Sequence, residues 1–411
     1  MSAFTEPGSR KGGQGVKVLV IGSIMMLFLG ILYIWSVFVN PTWGHGVSEV
    51  FNWHIDSVKL TSSFMLSFFV IGILAGGKLH LKIGSHKVVL MGGLLLAAGM
   101  LATSFLPQEA AWLMYITYGV IGGFGVGSAY NGIICAAQKW YPQRRGFATG
   151  IVVCAFGCST VVFAPLIETL IRYFELRNTF IILSVIFFIA TAALFRFIRL
   201  PDENAPAAAP SAALLAKRQY AAAETIRTKE FYLITLSLMV ATATFFILNP
   251  SFKSYAAERG AQDFGLIIVM MTGVANACGR LVVPLLSDKI GREKAALTVI
   301  FITSICALVL SFAQSFLFIA AVLATAFCFG GLPGLYSVIA SDYFGIKNAG
   351  ANYGAVMMGF AISALTFPMI IGLIKNDTMK FIALSIMAAF GVVLMILLLA
   401  IKNRKEREAN A

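Results

Sequence analysis

The stretch LIIVMMTGVANACGRLVVPLLSDKIGREK, residues 266–294, decides how the rest of the chain is interpreted. Most of it is apolar, and this part is about 20 residues long, the length that an α-helix needs to cross a bilayer. Arg280 lies inside the apolar part. An arginine at the centre of a bilayer costs from about 2.5 to more than 10 kcal/mol and normally marks a substrate or ion path. The stretch therefore predicts a membrane helix that carries a functional charge.

The composition of the whole chain supports membrane insertion. Of its 411 residues, 59% are hydrophobic and 12% are charged, whereas soluble domains carry about a quarter charged residues. The first apolar segment is too long for a signal peptide and lacks a small-residue cleavage site. We predict an all-α integral membrane protein with twelve transmembrane helices at residues 18–39, 58–77, 88–106, 112–137, 147–171, 178–198, 231–250, 264–287, 295–313, 316–340, 351–374 and 380–401.

One long break divides these helices into two sets of six. Residues 200–230 are rich in alanine, proline and charge, which is typical of a linker, with helical propensity around 212–228. Two six-helix bundles favour a transporter whose substrate site lies between them. The predicted domains are an N-terminal tail (1–17), a first bundle (18–199), the linker (200–230), a second bundle (231–401) and a C-terminal tail (402–411).

The net charge of +13 follows this membrane topology. If the N-terminus is cytoplasmic, 23 lysines and arginines fall in the cytoplasmic tails, linker and loops, and 7 fall on the other side. Cytoplasmic loops of membrane proteins carry such an excess of basic residues, so both termini are predicted to be cytoplasmic. Because topology accounts for the basic charge, it does not indicate a nucleic-acid partner.

Metal, cofactor and catalytic patterns are missing from the sequence. All six cysteines lie in predicted spans without the paired spacing of a zinc site, and the four histidines lie in predicted loops. The motifs HExxH and GxSxG do not occur, and no predicted span holds a pair of acids. The sequence therefore predicts neither an enzyme nor a bound cofactor.

Several local motifs resemble known transporters. The segment GRLVVPLLSDKIGR (279–292) resembles the loop signature of the major facilitator superfamily, G-x(8)-D-[RK]-x-G-[RK]. WSVFVNP (35–41), WYPQRRGFATG (140–150) and SDYFGIKNAGANYG (341–354) resemble the oxalate:formate antiporter family, whose relatives are the animal monocarboxylate transporters. The resemblance implies the two-bundle fold of that superfamily and a gating role for charged residues and a glycine of these loops, namely Asp288, Lys289, Gly291, Arg292, Arg144 and Arg145.

The same resemblance gives Arg280 a role. In this family, an arginine eight residues before the loop aspartate binds the carboxylate of the substrate, and Arg280 stands at that position relative to Asp288. A guanidinium matches a carboxylate with two parallel hydrogen bonds. The alternative is a permanent ion pair, but the nearest acids are Glu168 and Asp288, both at predicted helix ends. An arginine without a fixed anionic partner favours an anionic substrate.

The residue at position 360, a phenylalanine, bears on the charge of the predicted substrate. Phe360 lies eight residues after Asn352, which begins the sequence NYG. At the corresponding position the oxalate exchangers of this family carry a lysine. One fixed positive charge suits a monoanion such as lactate, pyruvate, acetate or formate, because a dianion would keep an uncompensated charge in a low-dielectric site. The alternative is that another cation replaces the lysine, for which Lys59 is the one nearby candidate.

The coupling mode stays open between two alternatives. In the animal monocarboxylate transporters an aspartate one turn before the arginine takes part in proton movement, and Asn276 occupies that position here. An amide does not titrate, so proton symport requires another group, such as Glu168, Asp288 or the substrate itself. Exchange of one monoanion for another requires none. We favour proton symport, because it serves net movement of a weak acid.

The remaining predicted pocket residues are polar or amphipathic. The resemblance implies that Tyr33 and Tyr130 face the substrate, while Asn131 and Tyr336 are candidates by their location alone. For each tyrosine the alternative is a buried ring whose hydroxyl is already hydrogen-bonded. The resemblance also implies a monomeric, multi-pass protein of a prokaryotic cytoplasmic (inner) membrane, with lipid, protons and a small carboxylate as partners. A carboxylate receptor that does not transport is the remaining alternative, since one fold can serve several functions.

Overall fold

The computed structural model describes residues 10–42, 44–141, 145–200, 219–345 and 348–410. Within these ranges the regular structure is helical, and no residue is in a strand. Eleven helical segments of the described chain are long and apolar enough to cross a membrane. The predicted fold class, an all-α membrane protein, is therefore confirmed.

We number the α-helices of thirteen residues or more in chain order. Shorter helices and 3-10 or π turns connect them and stay unnumbered. The twelve numbered helices are α1 (Arg10–Leu29), α2 (Ile55–Ile83), α3 (Ser85–Ser104), α4 (Gly123–Trp140), α5 (Arg145–Gly157), α6 (Ser159–Leu194), α7 (Lys229–Leu248), α8 (Gly265–Ile290), α9 (Arg292–Leu310), α10 (Ser315–Phe344), α11 (Ala349–Gly372) and α12 (Asp377–Asn410).

One apolar segment accounts for the difference between eleven observed and twelve predicted spans. The segment Phe147–Phe197 is 51 residues long and includes both predicted spans 147–171 and 178–198. Within it, Glu175 has a φ of 64° and a ψ of 167°, which is not a helical conformation. The backbone is therefore interrupted between the two predicted spans. Most of the predicted linker, residues 201–218, lies outside the described residues.

Helices α1–α6 pack together, as do α7–α12, and a few helix pairs join the two sets. Helix α2 packs against α11, and α5 and α6 pack against α8. The crossing of α6 and α8 is tight, because Gly273 lies against the Thr160 side chain and leaves no room for a Cβ atom. Small residues permit such close approach of membrane helices. The crossing brings α8, which carries Arg280, against the first set of helices.

Two turns show that the halves repeat one local structure. Lys82-Ile83-Gly84 ends α2, and Lys289-Ile290-Gly291 ends α8. Gly84 has φ 85° and ψ 151°, and Gly291 has φ 94° and ψ 146°. A positive φ favours glycine, because a side chain would clash with the backbone there. The repeated turn is the structural counterpart of the loop signature.

Both turns lie at the end of the molecule where the linker attaches. Gly84 borders a groove with Arg199 and Leu200, just before the linker. At the other linker end, the Tyr220 N–H donates to the Phe344 carbonyl at 3.0 Å. Arg292 lies 3.9 Å from Asp342 near that same helix end. We call this end the linker side, and the other end the opposite side.

The first helix of each set is broken toward the opposite side. After α1 a 3-10 turn, Gly30–Tyr33, precedes a short helix, Trp35–Val39. After α7 a 3-10 turn, Asn249–Ser251, precedes the short helix Phe252–Glu258. Pro250 lies in the second turn and cannot donate a backbone hydrogen bond. The segment 35–39 packs against 249–251, so the two broken regions face each other.

Candidate functional site

Arg280 lies on α8 with its side chain turned toward the N-terminal end of that helix. Its Nε donates to Asn276 Oδ1 at 2.7 Å, and its Nη2 donates to the Tyr33 hydroxyl at 3.0 Å. Long side chains in helices point back toward the N-terminus, which explains the contact with the residue one turn earlier. Only 9% of Arg280 is exposed. The structure thus brings together Arg280 and Asn276 of one half with Tyr33 of the other.

Aromatic rings enclose the guanidinium. The Arg280 Cζ lies 5.4 Å from the centre of the Phe156 ring and 6.0 Å from that of Tyr33. Tyr130 packs edge-on against Phe156 at 5.0 Å between ring centres, and its hydroxyl interacts with the Arg280 guanidinium. Ring faces attract cations, so these rings stabilise the charge without neutralising it. The structure thus places Tyr33 and Tyr130, both candidate pocket residues from the sequence, next to Arg280.

The guanidinium lacks a carboxylate partner among the described residues. Its polar neighbours in the described structure are an amide oxygen and two phenol hydroxyls. The two acids considered from the sequence are engaged elsewhere, Glu168 with Lys253 and Asp288 with Arg292. An Arg–carboxylate contact is the strong, bidentate form of charged hydrogen bond. The described part of the site therefore carries a net positive charge that an anion would neutralise.

A small cavity adjoins this cluster at the interface of the two halves. Its volume is about 10 Å³, close to the minimum that admits one water molecule. Tyr33 and Asn276 border both the cavity and Arg280. The lining residues are Tyr33, Gly157, Thr160, Phe245, Asn249, Thr272, Gly273 and Asn276.

A buried ion pair joins the two halves on the opposite side. The Lys253 ammonium binds the Glu168 carboxylate, and their side chains are 8% and 5% exposed. Thr42 completes the group, since its backbone N–H donates to Glu168 Oε2 at 2.9 Å and its hydroxyl donates to Oε1 at 3.0 Å. Glu168 belongs to α6 and Lys253 to the short helix after α7. We call Thr42, Glu168 and Lys253 the opposite-side cluster.

Sequence reasoning missed Lys253 as a buried cation. It lies beyond the predicted span 231–250, but the structure continues in helix as far as Glu258. Lys59, the candidate second cation, is instead 24% exposed and lies 3.8 Å from Asp56. Lys253 packs beside Gly265, which begins α8. Fifteen residues of helix separate Gly265 from Arg280, about 22 Å at 1.5 Å per residue, so Lys253 does not share the Arg280 site.

The loop-signature residues lie at the linker side. Asp288 pairs with Arg292, which also donates to the Ser287 hydroxyl at 2.5 Å and to the Pro284 carbonyl at 3.4 Å. Lys289 is exposed. These contacts tie the end of α8 to the start of α9. Of the arginines predicted in the other loop, Arg145 begins α5, whereas Arg144 lies outside the described residues.

Three predicted pocket residues have side-chain partners away from Arg280. Asn131 donates to the Ile73 carbonyl at 2.6 Å. The hydroxyls of Tyr336 and Ser237 are 2.8 Å apart. Phe360 is 1% exposed and packs against other rings, at 4.9 Å from Phe246 and 5.7 Å from Phe329 between ring centres. The structure does not bring these three to the guanidinium.

Comparison with known proteins agrees with this architecture. The family model described as Major Facilitator Superfamily matches residues 18–303 and 234–411. The chain is 25% identical to the MFS-type transporter YhjX of Escherichia coli K12, over 84% of this chain and 85% of that protein. It is also 25% identical to the oxalate:formate antiporter of Oxalobacter formigenes, over 84% of this chain and 80% of the antiporter. Mouse monocarboxylate transporter 11 is 24% identical over 75% of this chain and 70% of its own length. The chain belongs to the major facilitator superfamily of transporters.

Proposed function

We propose that this protein is a secondary active transporter that carries small monocarboxylates across the cytoplasmic membrane by alternating access. The observation that carries the proposal is Arg280, a buried guanidinium between the two halves with no carboxylate partner among the described residues. An intramembrane charge of this kind marks a substrate path. The names of two relatives, an oxalate:formate antiporter and a monocarboxylate transporter, point to the same class of substrate.

The guanidinium supplies the binding chemistry. Two of its nitrogens form a planar fork that matches the two oxygens of a carboxylate. The Tyr33 hydroxyl now occupies one of these positions, at 3.0 Å from Nη2. A carboxylate would replace that neutral acceptor with a charged one, and charge-assisted hydrogen bonds are roughly twice as strong as neutral ones. Tyr33 then becomes free to follow the first half when the two halves separate.

The charge of the site favours a monoanion. Arg280 supplies one positive charge, while Lys253 is already paired with Glu168. Phe360 contributes only an aromatic ring, and that ring is packed against Phe246 and Phe329. A dianion would retain a negative charge among apolar groups, where ionic desolvation is expensive. We therefore place lactate, pyruvate and similar acids ahead of oxalate.

The proposed topology has twelve spans with both termini in the cytoplasm. The segment 147–197 would cross twice, with its turn at the interrupted backbone of Glu175. An even number of crossings puts both ends on one side, and the basic linker side is then cytoplasmic. The domain boundaries proposed from the sequence, with bundles at 18–199 and 231–401, are compatible with this arrangement. Two bacterial relatives suggest a prokaryotic inner membrane.

Proton symport is the coupling mode that we propose, and exchange is the second candidate. Symport requires a group that binds the proton, and Glu168 is a buried carboxylate between the halves. Exchange is favoured by the amide of Asn276, which occupies the position next to Arg280 and does not titrate. The two modes differ in whether net uptake follows an imposed pH gradient.

The test is uptake of labelled lactate into liposomes that contain the pure protein. Arg280→Gln removes the charge, and loss of one partner of a buried charged contact costs about 3 kcal/mol or more, a hundredfold or greater fall in affinity. Arg280→Lys should also fail, since a point charge does not reproduce the fork. Arg259→Gln is the matched control, because Arg259 is 8% exposed and donates to the Ala313 carbonyl on the opposite side. Near-normal lactate uptake by Arg280→Gln would refute the proposal.

A further inference from the structure

A groove at the linker side of the first half collects positive charge. Its volume of about 280 Å³ lies near the lower end of the range for ligand pockets, about 300–1,000 Å³. The lining residues are Gly84, His86, Arg199 and Leu200. His86 belongs to the first turn of α3, and Arg199 follows the 3-10 turn Phe195–Phe197 that ends α6. The groove therefore lies at the junction of two helices that are far apart in the sequence.

The basic groups at this groove have no carboxylate partner among the described residues. Arg199 and Lys87 are exposed, and His86 is half-buried. None of the three takes part in an ion pair within the part of the chain that the structure describes. Arg199 and Lys87 both lie near His86, so two fixed positive charges are concentrated there. A bound anion would relieve their repulsion.

The repeated turn of the second half carries acids that the first half lacks. Asp288, three residues before the glycine of the second turn, pairs with Arg292. Leu81 stands at the same position of the first turn. Two residues after the glycine, the second turn has Glu293, which pairs with a lysine of α12, and the first turn has His86. The two halves thus share the turn but differ in its charge, and only the first leaves its basic groups without these acids.

The surroundings of the groove fit the surface of a bilayer. The Trp140 Nε1 donates to the Arg199 carbonyl at 2.8 Å, and tryptophan is enriched at membrane–water interfaces. Ile198 is 0% exposed and anchors the segment, whereas the neighbouring Phe197 is 49% exposed. Leu200 adds an apolar wall to the groove. Basic groups beside exposed apolar side chains suit a molecule with an anionic head and apolar tails.

We propose that this groove binds the phosphate headgroup of an anionic phospholipid from the leaflet at the linker side. The planar Arg199 guanidinium donates two hydrogen bonds to phosphate oxygens. Lys87 adds positive charge, His86 adds a ring N–H donor, and the acyl chains lie along the apolar surface that includes Phe197. The linker side is cytoplasmic in the proposed topology, and basic pockets between helices on that side bind such headgroups. The lipid joins the start of α3 to the end of α6, a role that does not depend on the transported substrate.

The experiment measures how phosphatidylglycerol stabilises the pure protein in detergent micelles that contain phosphatidylcholine. A ligand of the folded state raises the unfolding midpoint, so the phosphatidylglycerol fraction at half the maximal rise reports its affinity. Arg199→Gln should raise this fraction about tenfold, as loss of a charge-assisted hydrogen bond would. Arg196→Gln is the matched control, because Arg196 is exposed, lies three residues earlier and does not line the groove. The control should keep the parent value.

Two further measurements identify the source of the phosphate and do not depend on the folding of a variant. Glycerol 3-phosphate, which has no acyl chains, should leave the midpoint of the parent protein unchanged. Native mass spectrometry should show the parent protein retaining phosphatidylglycerol in preference to phosphatidylcholine. Equal effects of the two arginine substitutions, stabilisation by glycerol 3-phosphate, or equal retention of the two lipids would each overturn the lipid site. Lactate uptake is measured separately, so these outcomes leave the proposed transport function standing.

Discussion

Breaking the opposite-side cluster should open the molecule at that end. The Lys253 ammonium, which also lies 3.0 Å from the Thr42 hydroxyl, links the second half to Glu168 of the first. Glu168→Gln leaves a buried ammonium without its counter-charge. Removal of one partner from a buried ion pair costs about 3–5 kcal/mol. Since the pair connects the two halves, much of this cost falls on the arrangement in which that end is closed.

The magnitude can be converted into a population. A loss of about 3 kcal/mol from the closed arrangement raises the equilibrium ratio of open to closed molecules more than a hundredfold. Val39 is 3% exposed and lies three residues before Thr42 of this cluster, so Val39→Cys in a background without the six native cysteines reports the opening. The rate of thiol labelling in detergent should rise by a comparable factor in Glu168→Gln. Combining it with Lys253→Met should restore slow labelling in part, because no unpaired charge then remains.

A control variant separates this effect from general loosening. Asp377 and Lys380 form an ion pair at 2.7 Å within α12, and both belong to the second half. Asp377→Asn should therefore leave labelling at position 39 unchanged. A labelling rate in Glu168→Gln within threefold of the parent rate would refute the reasoning, because the pair would then contribute nothing to closure.

Two further predictions concern the site itself. In the parent protein the Asn276 amide oxygen lies 2.7 Å from the Arg280 Nε, and Asn276→Asp replaces this amide with a carboxylate. Because the carboxylate competes with lactate for the guanidinium, the KM for lactate should rise about tenfold. The same carboxylate balances the charge of Arg280 in the empty carrier, so the empty carrier should return faster. The measurement is initial lactate uptake at fixed pH and clamped voltage, with and without lactate inside the liposomes. If the ratio of these two uptake rates is the same in Asn276→Asp as in the parent protein, the prediction is contradicted. Phe360→Lys adds a second cation between Phe246 and Phe329, and oxalate should then compete with lactate. Strong oxalate transport by the parent protein would contradict that account of Phe360.

The sequence allowed prediction of the site residues that lie on the same helix. Arg280 and Asn276 are four residues apart, and that spacing alone places them in contact once the stretch is helical. Tyr33 and Tyr130 came from resemblance, and the structure places both against the guanidinium. The membrane class of the fold followed from composition, because the bilayer requires long apolar helices.

The parts that the sequence did not reveal depend on contacts between helices. Lys253 and Asn249 lie around a proline-containing break, and the span pattern ended at that point although the helix resumes beyond it. Tyr336 was a candidate by depth, but the Ser237 hydroxyl on another helix lies 2.8 Å from its own. Such partners are determined by packing, which a single sequence does not display. The number of spans differs because two predicted spans fall within one continuous apolar segment, Phe147–Phe197, although Glu175 interrupts the helical dihedrals between them.

The two 3-10 turns after α1 and α7 have a mechanical consequence. A 3-10 turn has weaker hydrogen-bond geometry than an α-helix and often serves as a hinge. The short helices beyond these turns, Trp35–Val39 and Phe252–Glu258, pack against each other and would bend as a pair. Spin labels on these two helices and on the Gly84 and Gly291 turns would then report different motions. Tyr33 and Asn249 lie in these two turns, so bending there would move both side chains relative to the helices on either side.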